Sequence, residues 1–140
     1  MENCIFCRIV KKEIPCMNIY EDADTLVFLD TARDVDGHML VIPKKHVKTL
    51  RDCDAGTLRH LMDTVQKVTI HCVENCGYDG VNILHASGEA AGQSVPHFHI
   101  HLIPRKEKDG IDAWPGFRGA QKPLEMLQEA LAMHQDRGEG

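Results

Sequence analysis

Apolar positions along this chain change period several times, and each change marks an element. After Cys4-Ile5-Phe6-Cys7 a short helical stretch is expected to about Lys12, closed by Ile14-Pro15, because proline disfavours helical backbone in the residue before it. Ile19-Tyr20 and Leu26-Val27-Phe28-Leu29 read as short strands joined through Glu21-Asp22-Ala23-Asp24 as a hairpin, and Met39-Leu40-Val41-Ile42 as a third strand stopped by Pro43. From Ala55 to about Asn75, Leu58, Leu61, Met62, Val65, Val68, Cys72 and Val73 recur at helical spacing, with Asp54 placed to cap the start and Gly77 to end the helix. His60 and His71 lie off that stripe and are assigned to a solvated face. Val81-Asn82-Ile83-Leu84 reads as a strand and Ser87 to Gln93 as a glycine-bearing loop. Val95 to Ile103 then forms another strand, and Leu124 to Met133 a terminal helix followed by a solvated His134. These elements favour an α+β fold, an antiparallel sheet with one long helix and a C-terminal helix.

With 140 residues and 43% apolar content, the chain buries one core and is read as a single domain, 1–140. No basic stretch leads into an apolar one at the start, and no apolar run approaches the roughly 20 residues that span a bilayer. A soluble, cytoplasmic protein with no membrane partner is therefore expected. The formal charge is −5, and the basic residues are scattered in pairs (Lys11-Lys12, Lys44-Lys45, Arg105-Lys106). They form no stripe that would follow a phosphate backbone, which argues against nucleic acid as a partner. The six cysteines are expected as reduced thiols, since a chain with an ordinary core and no leader does not need a disulfide framework.

Three of the nine histidines, His97, His99 and His101, fall within five residues. In Pro96-His97-Phe98-His99-Ile100-His101-Leu102-Ile103 the alternation is strict, so a strand sends the three imidazoles to one face and Phe98, Ile100 and Leu102 to the other. Alternate strand residues stand roughly 6.5–7 Å apart, a spacing that suits either a bridged phosphate or a shared metal. Directly before the strand, Gly88-Glu-Ala-Ala-Gly-Gln-Ser-Val95 offers exposed backbone N–H groups together with the Gln93 amide and the Ser94 hydroxyl as phosphate-binding groups. Asp30, at the end of an apolar strand, suits two adjacent hydroxyls of a ribose.

Gly92-Gln-Ser-Val-Pro-His-Phe-His-Ile-His-Leu-Ile103 resembles the histidine-triad (HIT) signature, His-x-His-x-His followed by apolar residues. The Hint-type branch of that family is also matched, in order, by Cys4-Ile-Phe-Cys7, Ile14-Pro15, Tyr20-Glu21-Asp22, Phe28-Leu29-Asp30 and Gly37-His-Met-Leu-Val-Ile-Pro-Lys-Lys-His46. The match covers residues 4–105 and leaves 106–140 as a C-terminal segment. The resemblance implies a HIT-like fold whose sheet continues across a homodimer. It implies that His99 is the nucleophile that takes up the nucleotidyl group and that His101 contacts and orients the phosphate. Ser94 and Gln93 would hold phosphate oxygens and assist departure of the leaving group. Asp30 would bind ribose, and Ile5, Phe6, Ile9 and Phe28 would form an apolar slot for a purine. Where the family usually has an asparagine, seven residues before Gln93, this chain has Ala86, which puts that contact in doubt and leaves His85, Ser87 and Asn82 as candidates to replace it.

Cys4-x-x-Cys7 fits one half of a tetrahedral zinc site but also a redox pair. By resemblance the other two ligands are His46 and His97, which would give a closed, structural Cys₂His₂ zinc and leave His99 and His101 for phosphate. Cys16, Cys53, Cys72 and Cys76 are assigned to packing or exposure, and His38 to a structural role. C-terminal segments of the family reach a neighbouring subunit's site, which makes Trp114-Pro115 a candidate for that contact, though spacing does not show it.

The function implied is hydrolysis of nucleoside phosphoramidates or related nucleotidylated substrates at the α-phosphate, through a covalent nucleotidyl-histidine intermediate. The retained His101 favours hydrolysis over nucleotidyl transfer. Dinucleoside polyphosphate hydrolases share the three histidines but generally lack the Cys-x-x-Cys start and the Gln-Ser pair. The remaining alternatives are a nucleotide-binding regulator or scaffold with incidental hydrolysis, and a hydrolase with a catalytic metal on all three histidines.

Overall fold

The structure, a computed structural model, describes residues 3–133. Five strands, β1 (Asn18–Glu21), β2 (Thr25–Leu29), β3 (Met39–Pro43), β4 (Gly80–Leu84) and β5 (Ile100–Arg105), form one antiparallel sheet in the order β1-β2-β3-β5-β4. Three α-helices accompany it: α1 (Ile5–Val10), α2 (Ala55–Asn75) and α3 (Leu124–Leu131).

Side-chain parity divides the sheet into two buried faces. Val27, Met39, Val41, Ile100 and Leu102 pack against Leu61, Val65, Val68 and Cys72 of α2. Leu26, Phe28, Leu40 and Ile42 pack on the other face against Cys4, Phe6, Cys7 and Ile9 of the α1 segment. A sheet covered on both sides explains why β2 and β3 are continuous apolar runs rather than alternating ones. The long helix runs over the span expected. Asp54 accepts the Thr57 N–H at its N-cap, and beyond its end Gly77 adopts φ +79°, a left-handed conformation open to glycine.

Several details depart from the sequence reading. The last strand begins at Ile100 rather than Val95, because the backbone of residues 95–99 joins no sheet ladder. The parity survives nonetheless: the Phe98 N–H bonds the Val47 carbonyl at 2.7 Å, and the Phe98 ring enters the α2-side core. Helix α1 stops at Val10, well before Pro15, with Lys12 turned to φ +64°. Met62 and Val73 of the expected apolar stripe are 42% and 41% exposed, and Thr64 is buried in their stead. His60 is not merely solvated, since its Nε2 meets the Asp22 carboxylate at 2.9 Å. Helix α3 forms as expected but buries no residue, and His134 lies outside the described residues. No helix of the described residues is long and apolar enough to cross a membrane.

Candidate active site and metal centre

The same parity that covers the sheet gathers chemistry on its α1 side. Along β2 it continues from Leu26 and Phe28 to Asp30, along β3 it runs back from Leu40 to His38, and Leu40 stands opposite His101 in the ladder. Histidines 97, 99 and 101 therefore meet Asp30, His38 and the α1 segment without any long-range distortion.

His97 is fully buried at 0% exposure, and its Nε2–H donates to the Pro43 carbonyl at 2.9 Å, which leaves a lone pair on Nδ1. That Nδ1 stands 3.3 Å from Cys4 Sγ, 3.6 Å from Cys7 Sγ and 3.2 Å from His46 Nδ1, while Cys7 Sγ is 3.2 Å from His46 Nδ1. Tetrahedral zinc with ordinary zinc–sulfur and zinc–nitrogen bonds spaces its ligand atoms by about 3.3–3.6 Å where an imidazole is one of the pair. The four atoms fit that figure, and all lie within 4.8 Å of one another. Burial and the neighbouring Cys4 push the Cys7 thiol up to about 11, and burial holds the His97 imidazole down to about 4. Two crowded thiols and two neutral imidazoles form a donor set suited to a soft dication, whose binding would displace the thiol protons. The Cys7 N–H donates to Cys4 Sγ at 3.3 Å and aims that sulfur.

His99 faces the other way. Its Nδ1 lies 2.7 Å from the His97 carbonyl, which can only accept, so Nδ1 carries the proton and Nε2 keeps the lone pair. Burial lowers the His99 pKa and favours that neutral form. The ring lines a cleft of about 510 Å³ together with Ile5, Phe6, Ile9, Phe28, Asp30, Ser94 and His101. Phe6 stands edge-on to His99 at 5.3 Å and to Phe28 at 5.6 Å, so α1 supplies an apolar wall directly beside the imidazole. His99 and His101 have ring centroids 4.9 Å apart, closer than the backbone spacing of a regular strand.

His38, taken from sequence as structural, is the main residue that reading passed over. Its Nδ1–H donates to Asp34 at 2.8 Å, and its Nε2 meets His101 Nδ1 at 2.9 Å. An Asp34–His38–His101 chain results, and burial holds His101 down to about 4. The signal was parity, which becomes readable only once β3 is known to lie beside β5. Gly37 enables the approach: at φ +84° it passes Pro104 and Tyr78 so closely that a Cβ would stand 3.1 Å from Pro104 Cγ.

Gln93 does not line the cleft. Its Nε2 donates to the Lys48 and Val95 carbonyls at 2.7 and 2.9 Å, and its Oε1 accepts the Gly88 N–H at 2.8 Å, so the amide staples the glycine loop to residue 48. Ser94 is exposed at the lip, its hydroxyl without a partner among the described residues. The residues considered as substitutes at the Ala86 position are engaged elsewhere. His85 donates to the His99 carbonyl and accepts from Ser87, Ser87 also takes the Leu50 N–H, and the Asn82 Oδ1 accepts from Arg105. Trp114 is 69% exposed and stacks edge-on with Phe117 rather than against this cleft.

The HIT domain family model matches residues 11–108. The chain is 36% identical over 132 residues to adenosine 5'-monophosphoramidase hnt1 of Schizosaccharomyces pombe, covering 93% of this chain and 96% of that protein. It is 41% identical over 116 residues to adenylylsulfatase HINT3 of Arabidopsis thaliana, covering 83% of this chain and 59% of that one. The crystal structure of a Zn-bound histidine triad family protein from Mycobacterium smegmatis superposes with a TM-score of 0.76 at 36% identity, covering 80% of this chain and 81% of that one.

Proposed function

The chain belongs to the HIT domain family and is a hydrolase of the histidine-triad type, and on that premise we propose that it cleaves nucleoside phosphoramidates and related nucleotidylated substrates through a covalent nucleotidyl-His99. The observation that carries this reading is the His97 carbonyl fixing the His99 tautomer at 2.7 Å, with Nε2 left free at a nucleotide-sized cleft. Ile5, Phe6, Ile9 and Phe28 flank a purine, and Asp30 accepts hydrogen bonds from the ribose hydroxyls.

In the first step the Nε2 lone pair attacks the α-phosphorus and the P–N bond breaks. Its electron pair stays with the amine nitrogen, which takes the Ser94 hydroxyl proton. Water then attacks the same phosphorus, gives a proton back to the Ser94 oxygen, and the P–His99 bond breaks with its pair returning to Nε2, which frees the nucleoside monophosphate. His101 orients a phosphate oxygen. The Asp34–His38 pair holds the His101 ring through its Nδ1, which leaves Nε2 for the phosphate. Gln93 acts on this reading as a positioning residue, since it holds the loop that carries Ser94.

Cys4, Cys7, His46 and His97 would hold a structural zinc, which would supply a cross-link between α1 and the sheet rather than chemistry at phosphorus. The protein works as a cytoplasmic homodimer. Support for the dimer lies in β4, an open sheet edge with Ile83 exposed, and in the exposed Met62, Ile70 and Val73 of α2; sedimentation at micromolar concentration tests it.

The decisive experiment for the chemistry is a rapid acid or denaturant quench of turnover with adenosine 5'-phosphoramidate, followed by peptide mass spectrometry. An adenylyl group on His99, absent in His99→Ala, is expected. Steady turnover with no modified peptide at any time, or modification elsewhere, overturns the mechanism. Diadenosine polyphosphate run beside the phosphoramidate is expected to be the poorer substrate.

A further inference from the structure

His99 sits where the sheet has run out. The ladder between β4 and β5 pairs Leu84 with His101 and goes no further, and the backbone of residues 95–99 joins no strand. Along β5 the carbonyl of Arg105 points towards the β4 side, where it accepts the Asp79 N–H at 2.8 Å. His99 has the same parity, so a ladder continued by one more pair would offer its carbonyl a backbone N–H from β4. The chain leaves the sheet after Leu84 instead. The side chain of the very next residue takes that place: the His85 Nδ1–H donates to the His99 carbonyl at 3.0 Å.

The His85 ring is itself held on both nitrogens and on one face. A carbonyl can only accept, so Nδ1 carries the proton and Nε2 keeps its lone pair. The Ser87 hydroxyl donates to that lone pair at 2.6 Å, and the Ser87 oxygen in turn takes the Leu50 N–H at 3.2 Å. Phe98, buried in the α2-side core, meets the His85 ring edge-on at 4.7 Å. His85 is not among the residues that line the cleft beside His99. It touches the histidine at the cleft through the main chain alone.

Resting on the phosphoramidate-hydrolase reading, we propose that His85 is a positioning residue, whose Nδ1–H, backed by Ser87, fixes the main chain of His99 and thereby aims Nε2 at phosphorus. The His97 carbonyl sets which nitrogen of His99 is free, and His85 sets where that nitrogen stands. Misplacing a nucleophile costs rate rather than affinity, because bond formation needs near-contact and alignment of the reacting atoms.

The test compares His85→Ala with His85→Asn, whose side-chain amide places an N–H close to the position of the imidazole Nδ1–H. Rapid quench of a single turnover of adenosine 5'-phosphoramidate reads formation of the nucleotidyl-His99, and calorimetry with AMP reads affinity. His85→Ala is expected to slow formation about tenfold, the worth of roughly one hydrogen bond, with the AMP dissociation constant kept within about twofold. His85→Asn is expected to recover most of that rate, and Ser87→Ala, which frees the ring but keeps its donor, to lose less than His85→Ala. An unchanged rate in His85→Ala, a loss that His85→Asn does not restore, or a loss carried by AMP affinity overturns the assignment. Nitrogen-15 spectra of the His99 ring decide the same point without substrate. A single Nδ1-protonated tautomer is expected in the wild type and in His85→Asn, and a mixture of tautomers in His85→Ala; spectra identical in all three overturn the positioning role. Failure of the wild type itself to form the intermediate would refute the hydrolase reading alone.

Discussion

Removal of the proposed zinc ligand Cys7 tests whether the apolar wall of the cleft depends on the cysteine–histidine cluster. Helix α1 has six residues, far below the roughly 12–15 at which an isolated helix becomes marginally stable in water. Phe6 and Ile9 are its chief buried apolar side chains at 6% and 9% exposure, and each contributes roughly 1.5–3 kcal/mol by leaving water. Fixing the backbone of residues 4–12 costs roughly 1–2 kcal/mol per residue, so the ordering cost exceeds that apolar gain severalfold. On the proposed function, attachment of Cys4 and Cys7 to a metal shared with His46 and His97 would make up the difference, since structural zinc binding is worth about 10–16 kcal/mol in small metal-folded domains. In Cys7→Ser, or after chelation, residues 4–12 should therefore leave the sheet while the α2-side core, to which they contribute nothing, stays folded. Loss of Ile5, Phe6 and Ile9 from the cleft should weaken AMP binding by about 2–3 kcal/mol, on the order of 30- to 150-fold. Hydrogen exchange resolved by peptide mass spectrometry reads the first effect, and calorimetric titration with AMP reads the second, before and after zinc is restored. If metal analysis verifies removal while residues 4–12 remain protected and the AMP dissociation constant is unchanged, the clamp argument is refuted.

Three further outcomes follow from other parts of the molecule. His99→Ala removes the bond-forming atom and should lower turnover by on the order of 10³-fold or more with the melting temperature nearly kept; near-normal rates would discard the nucleophile. Leu61→Ala empties a side-chain volume at the centre of the α2 interface, where Leu61 is 0% exposed, and should cost about 2–5 kcal/mol in urea unfolding at constant m-value. Burial tends to raise the Asp22 carboxyl, but the Asp24 N–H, His60, the Tyr20 hydroxyl and the Thr25 N–H outweigh it and hold it at about 2, down from 3.8. A depressed carboxylate stabilises the fold above its unfolded value and loses that contribution as pH falls through the folded value. The wild-type advantage over Asp22→Asn should therefore be on the order of 1–2 kcal/mol above pH 4 and vanish towards pH 2, when both are unfolded in urea with chelator present. A difference that stays constant across that range would remove the linkage.

What could be read from the chain depended on whether the information was local. Helix α2 was legible to the residue at both ends because its stripe, the Asp54 cap and the Gly77 turn are all encoded within a short window. Its buried face was less legible: periodicity marks Met62 and Val73 as apolar but cannot say how wide a stripe the sheet will cover. The start of β5 was misplaced because alternation shows extended backbone and parity, not the presence of a partner strand for residues 95–99. Gln93 and Ser94 are adjacent polar residues on a glycine loop, equally suited to phosphate by composition. Only the positions of Lys48, Val95 and Gly88 show that one amide is committed to backbone while the neighbouring hydroxyl remains free.

Three histidines of one sequence pattern acquire different chemistry through the partner that each ring takes in the protein. His97 gives its Nε2–H to the Pro43 carbonyl, which turns Nδ1 towards the thiols. His99 gives its Nδ1–H to the carbonyl of His97 itself, two residues back, which turns Nε2 towards the cleft. His101 meets His38 through Nδ1 and is tied by it to Asp34, a carboxylate distant in sequence from the triad. Adjacent positions on one face thus present opposite ring nitrogens, and a single backbone segment turns one lone pair towards the cysteine–histidine cluster and another towards the cleft. Parity alone could bring the rings to one side of the sheet. The carbonyls of Pro43 and His97 separate the ring that meets the thiols from the ring that opens on the cleft, and replacing the acceptor of either bond would let the ring turn and erase that separation.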